Sequence, residues 1–148
     1  MASENVSITI ESDIKHVEKV GETAMNICAR TPLNPVQGHL VQTSIVEAVN
    51  NVIEHAYDRQ GGHPIEVTFN YGEKNLIVTI RDWGKPMQDL SHPEIDFDID
   101  NPRTFPQKGL GRYIMHQVMD DIRYRYLGGV NELVLTKYFG PVIDEPVP

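Results

Sequence analysis

A chain of 148 residues, 40% hydrophobic and 23% charged, has the composition of one soluble globular domain, and a single unit is expected across residues 1–148. The net charge of −8, from 21 acids against 13 Lys and Arg, argues against a general nucleic-acid-binding surface. A lone Cys28 excludes an internal disulfide and a cysteine-built metal site, and no apolar run is long enough for a membrane span or a secretory leader; a cytoplasmic protein is expected.

In chain order, VSITIES (6–12) alternates like a half-buried strand. From Asp13 to about Ala29 the spacing of Ile14, Val17, Val20, Ala24, Met25 and Ile27 predicts an amphipathic helix. Asn34-Pro35 reads as an N-cap followed by proline at the first helical position, opening a second helix to about Tyr57. IEVTFNY (65–71) and NLIVTIRD (75–82) alternate around Gly72-Glu73-Lys74 and predict a hairpin. The stretch from Lys85 to Lys108 is rich in proline and acid, lacks a period, and is read as a lid. A third helix begins near Leu110, with Ile114, Met115, Val118, Met119 and Ile122 towards the core, and two strands around Gly128-Gly129 close the chain. This order is not the regular alternation of a doubly wound fold. It predicts an α+β, two-layer sandwich: a mixed, mostly antiparallel sheet with three helices on one face.

SIVEAVNNVIEHAY (44–57) carries a polar stripe that helix propensity does not explain. At about 100° per residue, Asn51 falls about 40° from Glu47, whereas Ile45, Val49, Val52 and Ala56 fall on the opposite, apolar side. A carboxylate beside a neutral amide suits a site that accepts a proton and helps to hold a hard cation. It equally suits plain surface hydrogen bonding. RDWGK (81–85) sets Asp82 at a strand end with Gly84 two residues on, where a carboxylate can accept a hydrogen bond from an exocyclic amine and glycine leaves room for a flat ring, although Asp-x-Gly is also a common turn. KGLG (108–111) sets Gly109 and Gly111 before a helix, where free backbone N–H groups can cradle phosphates. The acidic EIDFDID (94–100) lacks the glycine turn and the terminal Glu of a calcium loop, and ARTPLN (29–34) has Ile27 where a phosphoacceptor histidine would stand.

In this order and spacing the three segments resemble the Bergerat-fold ATPases of gyrase, chaperone and histidine-kinase type, and within them the bacterial serine/threonine kinases that act as anti-sigma factors. EAVNNVIEHAY (47–57) is similar to the family's N box, DWG (82–84) to its first glycine box and KGLG (108–111) to its second. The resemblance implies ATP and Mg2+ as cofactors, Asn51 as metal ligand and Glu47 as general base. It implies Asp82, with Gly84, at the adenine, and Lys108, Gly109, Leu110 and Gly111 at the phosphates. LTKYF (135–139) is similar to the closing strand, which implies a water-mediated adenine contact for Thr136. A small anti-sigma antagonist as phosphoacceptor, a sigma factor as second partner and a homodimer are implied too, with no direct nucleic-acid or membrane partner. Two alternatives use the same fold: a protein-binding module without phosphotransfer, and a stand-alone histidine-kinase-like catalytic domain.

Overall fold

The computed structural model describes residues 3–87, 98, 100–104 and 110–140. Strands β1 (Glu4–Glu11), β2 (Pro64–Tyr71), β3 (Asn75–Asp82), β4 (Asp121–Leu127) and β5 (Val130–Tyr138) form one sheet in the order β1-β2-β3-β5-β4. The expectation allowed a mixed sheet; all the pairings described are antiparallel. Helices α1 (Val17–Cys28), α2 (Pro35–Asn51) and α3 (Leu110–Val118) cover one face. The α+β, two-layer architecture is therefore the expected one.

Alternation decides which side chains face the helices. Val67 and Phe69 on β2, Leu76, Val78 and Ile80 on β3, and Leu135 on β5 are buried, and they meet Val20, Val41, Ile45 and Val49 from α1 and α2. Each such side chain contributes about 1.5–3 kcal/mol by leaving water. The opposite face carries a ladder across three neighbouring strands and the edge: Glu66, Arg81, Glu132 and Arg125 pair in sequence at 2.8–2.9 Å. These pairs are partly exposed and serve register more than stability.

The start of α1 departs from the sequence reading. Asp13 caps a short 3-10 turn, Ile14–His16, by accepting from the Lys15 N–H, and Ile14 is 72% exposed. Three residues per turn rotate Ile14 off the core face. Met25 is half-buried at the edge of the stripe formed by Val17, Val20, Ala24, Ile27 and Cys28. Burial raises the Cys28 thiol to about 11, so it behaves as a small apolar side chain. In and after α3, Met115 and Met119 are buried as expected, Val118 and Ile122 pack against the core, and Ile114 stays half-buried.

The start of α2 follows its sequence. Asn34 accepts from the Gln37 N–H at 2.8 Å while the Gln37 side chain accepts from the Asn34 N–H at 3.0 Å, a capping box with Pro35 inside it. Its far end is less regular. After Asn51 the backbone widens into a π turn, Val52–Ala56, and Asp58 and Arg59 then take positive φ angles of 52° and 63°. The extra residue moves Ala56 from the expected core face to a half-buried wall.

Candidate functional site

The last residue of β3 is Asp82, which pairs in register with Asn131 of β5. Both are buried, at 4% and 3% exposure, on a sheet face otherwise filled with apolar side chains. Asn131 Nδ2 donates to Asp82 Oδ1 at 2.7 Å and lies 3.1 Å from both the Gly84 and Lys85 carbonyl oxygens. The Gly84 N–H donates to the same Oδ1 at 2.9 Å. Oδ2 receives no hydrogen bond among the described residues, and Asp82 lines a cavity. A fixed carboxylate with one open oxygen is an acceptor ready for an N–H of a ligand. Burial raises its pKa, and the Asn131 amide and the Gly84 N–H pull it partly back.

The turn after β3 is clamped from two sides. Tyr124 donates its hydroxyl hydrogen to Asn131 Oδ1 and accepts from the Met87 N–H at 2.8 Å. Tyr57 donates to the Pro64 carbonyl at 2.7 Å and accepts from the Trp83 N–H at 2.9 Å. The Lys85 N–H donates to the Ala56 carbonyl at 2.9 Å, and the Lys85 ammonium pairs with Asp58 at 2.7 Å. Gly84 sits so close to the π turn that a Cβ would stand 2.4 Å from the Ala56 oxygen. The glycine is therefore needed for backbone contact here, whatever space a ring also requires.

On α2, Glu47 and Asn51 lie one turn apart. Glu47 is half-buried, and burial raises its carboxyl pKa; the Asn51 amide lowers it, Glu54 raises it, and Arg112 and His55 lower it. Helix α3 closes on this carboxylate: a Cβ on Gly111 would lie 2.2 Å from Glu47 Oε1. Asn51 faces two cavities that share its side chain with Met87, Arg112 and Tyr124. One, of about 370 Å³, is walled by Val52, His55, Asp82, Lys85 and Asn131; the other, of about 310 Å³, by Ala48, Met115, Met119, Ile122 and Leu133. Together they form a cleft with apolar walls and a few convergent polar groups, the general character of a small-molecule site.

The structure thus sets Asn51 and Asp82 on the lining of one cleft, with Gly84 in the turn beside Asp82, Glu47 one helical turn from Asn51 and against Gly111, and Leu110 half-buried at the start of α3. Lys108, Gly109 and most of the expected lid lie outside the described residues. Thr136 is not brought to Asp82. It pairs with Ile77, five residues along β5 from Asn131, which is about 17 Å of strand, and the odd offset sends it to the opposite face. Asn131 is the residue beside Asp82. Its sequence signal is that Asn131, Leu133 and Leu135 share a parity, so a polar residue stands on an apolar face. Replacing Asn131 by Leu is expected to lower unfolding free energy by about 2–4 kcal/mol, because buried Asp82 loses a donor and two carbonyls lose theirs. Urea denaturation measures it, and a loss below about 0.5 kcal/mol would show that the amide does not hold the turn.

The donor set bears on the metal as well. Among the described residues no group of three or more His, Cys, Asp or Glu could hold an ion. A single amide oxygen at Asn51, beside the Glu47 carboxylate, fits a cation such as Mg2+ that takes most of its shell from phosphate and water.

A family model for the histidine kinase-like ATPase domain matches residues 10–137. The chain belongs to that family. It is similar to serine-protein kinase RsbW of Bacillus cereus (strain AH187), with 28% identity over 138 residues, 91% of this chain and 85% of that protein. It is 32% identical over 101 residues to serine-protein kinase RsbW of Bacillus thuringiensis (strain Al Hakam), covering 66% of this chain and 62% of that one. The namesake from Bacillus mycoides (strain KBAB4) is 27% identical over 138 residues, 91% of this chain and 85% of its own length. Every residue that lines the cleft, from Ala48 to Leu133, falls within the histidine kinase-like ATPase match.

Proposed function

We propose that this chain is an ATP-dependent serine/threonine protein kinase of the partner-switching, anti-sigma type. It would phosphorylate a small antagonist protein and sequester a sigma factor. The observation that supports the reading is the cleft lined by Asn51 and Asp82, with Glu47 one helical turn from Asn51; the names of the RsbW relatives support the choice of serine kinase over other members of the family. The reading includes a cytoplasmic homodimer with a lid at about 85–108 and no nucleic-acid or membrane partner. The net charge of −8 supports the former exclusion, and no helix among the described residues is long and apolar enough to cross a membrane.

In this mechanism Asp82 Oδ2 accepts from the adenine amine, and Asn131 with the Gly84 N–H keeps that carboxylate aimed. Asn51 would hold Mg2+, which supplies neutralisation of phosphate charge when bound. Gly109 and Gly111 present backbone N–H groups to the phosphates, with Lys108 as a further positive charge. Glu47 orients the acceptor hydroxyl. As the serine oxygen bonds to the γ-phosphorus, the bond from that phosphorus to the ADP oxygen breaks and the hydroxyl proton passes to Glu47. The partly buried carboxylate, raised in pKa by burial, is a better base than an exposed one.

Calorimetry with ATP, in the presence and absence of Mg2+, tests the foundation. One nucleotide per chain is expected, bound more tightly with Mg2+. Folded protein that binds no adenine nucleotide would remove the enzyme reading. Acid-stable phosphate on a purified antagonist separates serine transfer from histidine transfer, since phosphohistidine is lost in acid.

A further inference from the structure

Arg112 is the third residue of α3, and it lines both cavities of the cleft with Asn51, at their junction. Among the described residues the permanent cations lining the cleft are Lys85 and Arg112. Lys85, paired with Asp58 at 2.7 Å, lines one cavity only, whereas Arg112 lines both. Acids are more numerous. Asp82 lines one cavity and Glu47 stands one helical turn from Asn51, whereas Asp120 and Asp121 on the other cavity are paired with Lys137 at 3.6 Å and Arg123 at 2.8 Å. A triphosphate brought beside Asn51 would enter a negative field on a chain whose net charge is already −8. A guanidinium at the junction offsets that field where it matters, and its planar fork matches two phosphate oxygens at once.

We propose that Arg112 is a phosphate-binding residue of this site, its guanidinium taking the β- or γ-phosphate of a nucleotide whose base sits at Asp82. This rests on the nucleotide-binding reading above and assigns a residue to it. Arg112 already has an interaction within the fold, so the phosphate shares or replaces that partner. A purely structural Arg112 would serve its partners within the fold alone and would not tell a nucleotide from its nucleoside.

The test is the affinity of adenosine, ADP and ATP, with Mg2+ throughout, for the wild-type chain, Arg112→Met and Arg112→Gln. Both substitutions remove the charge and keep good helix formers in α3. Adenosine affinity is expected to stay within about twofold, while ADP or ATP weakens by about 10- to 100-fold, a loss typical of one charge-assisted pair. The member of the series at which the loss first appears identifies the phosphate. An unchanged ratio of ATP to adenosine affinity in either folded variant overturns the proposal. Should Arg112→Met also lose adenosine, its cleft has collapsed and Arg112→Gln decides by the same ratio. Wild-type protein that binds neither adenosine nor ATP is a different result: it removes the nucleotide reading, and the Arg112 assignment with it.

Discussion

Glu47→Gln is expected to bind Mg2+-ATP with about wild-type affinity and to lose phosphotransfer by roughly 100-fold or more. Glutamine keeps the shape that packs against Gly111 but cannot take the proton. Asn51→Ala, one turn away, should fail differently: with the amide oxygen gone, Mg2+-ATP affinity and transfer fall together. Titration of ATP and single-turnover transfer to a purified antagonist separate the two. The pH profile gives an independent check. Glu47 acts in its ionised form, and burial raises its pKa, so transfer should decline on acidification at a higher pH than an exposed glutamate would give. A folded Glu47→Gln protein that transfers phosphate at the wild-type rate would rule out the base assignment.

Gly84→Ala is expected to lower unfolding free energy by about 1–3 kcal/mol and to weaken ATP binding in the same protein. The new Cβ would stand 2.4 Å from the Ala56 oxygen and 2.6 Å from its carbonyl carbon, which are backbone atoms and cannot swing aside. Relief requires the turn and the helix end to separate. That movement breaks the Lys85–Ala56 hydrogen bond and disturbs the Gly84 N–H that aims Asp82. The contrast with Gly111 is instructive, because there the crowding atom is the end of the Glu47 side chain, which can rotate away. Urea denaturation and ATP titration of Gly84→Ala are the measurements. Wild-type values in both would show that the turn has slack.

Much of this could be read from local chemistry. The hairpin of β2 and β3, the Asn34-Pro35 helix start and the position of Asp82 each depend on a few neighbouring residues, and the structure shows all three. The polar stripe of α2 was legible for the same reason, since helical spacing alone brings Glu47 and Asn51 together. What escaped depends on partners distant in sequence. Choosing Asn131 over Thr136 needs the register of β5 on β3, and an odd error in position exchanges the faces of the sheet. The π turn at Val52–Ala56 is met by the Trp83-Gly84-Lys85 turn, which no helical wheel contains. Arg112 sits in α3 like any solvated arginine until the fold places α2 opposite it.

Trp83 is the sole tryptophan in the chain and follows Asp82 directly, with its backbone N–H fixed by Tyr57 and the residue as a whole 46% exposed. Indole emission responds to the polarity and packing around the ring, so the protein carries an intrinsic optical reporter in the turn that holds Asp82. No label is needed, and every change in that signal belongs to one known position. Stopped-flow fluorescence can therefore follow events beside Asp82 in real time, on the unmodified chain, whether or not phosphate is transferred.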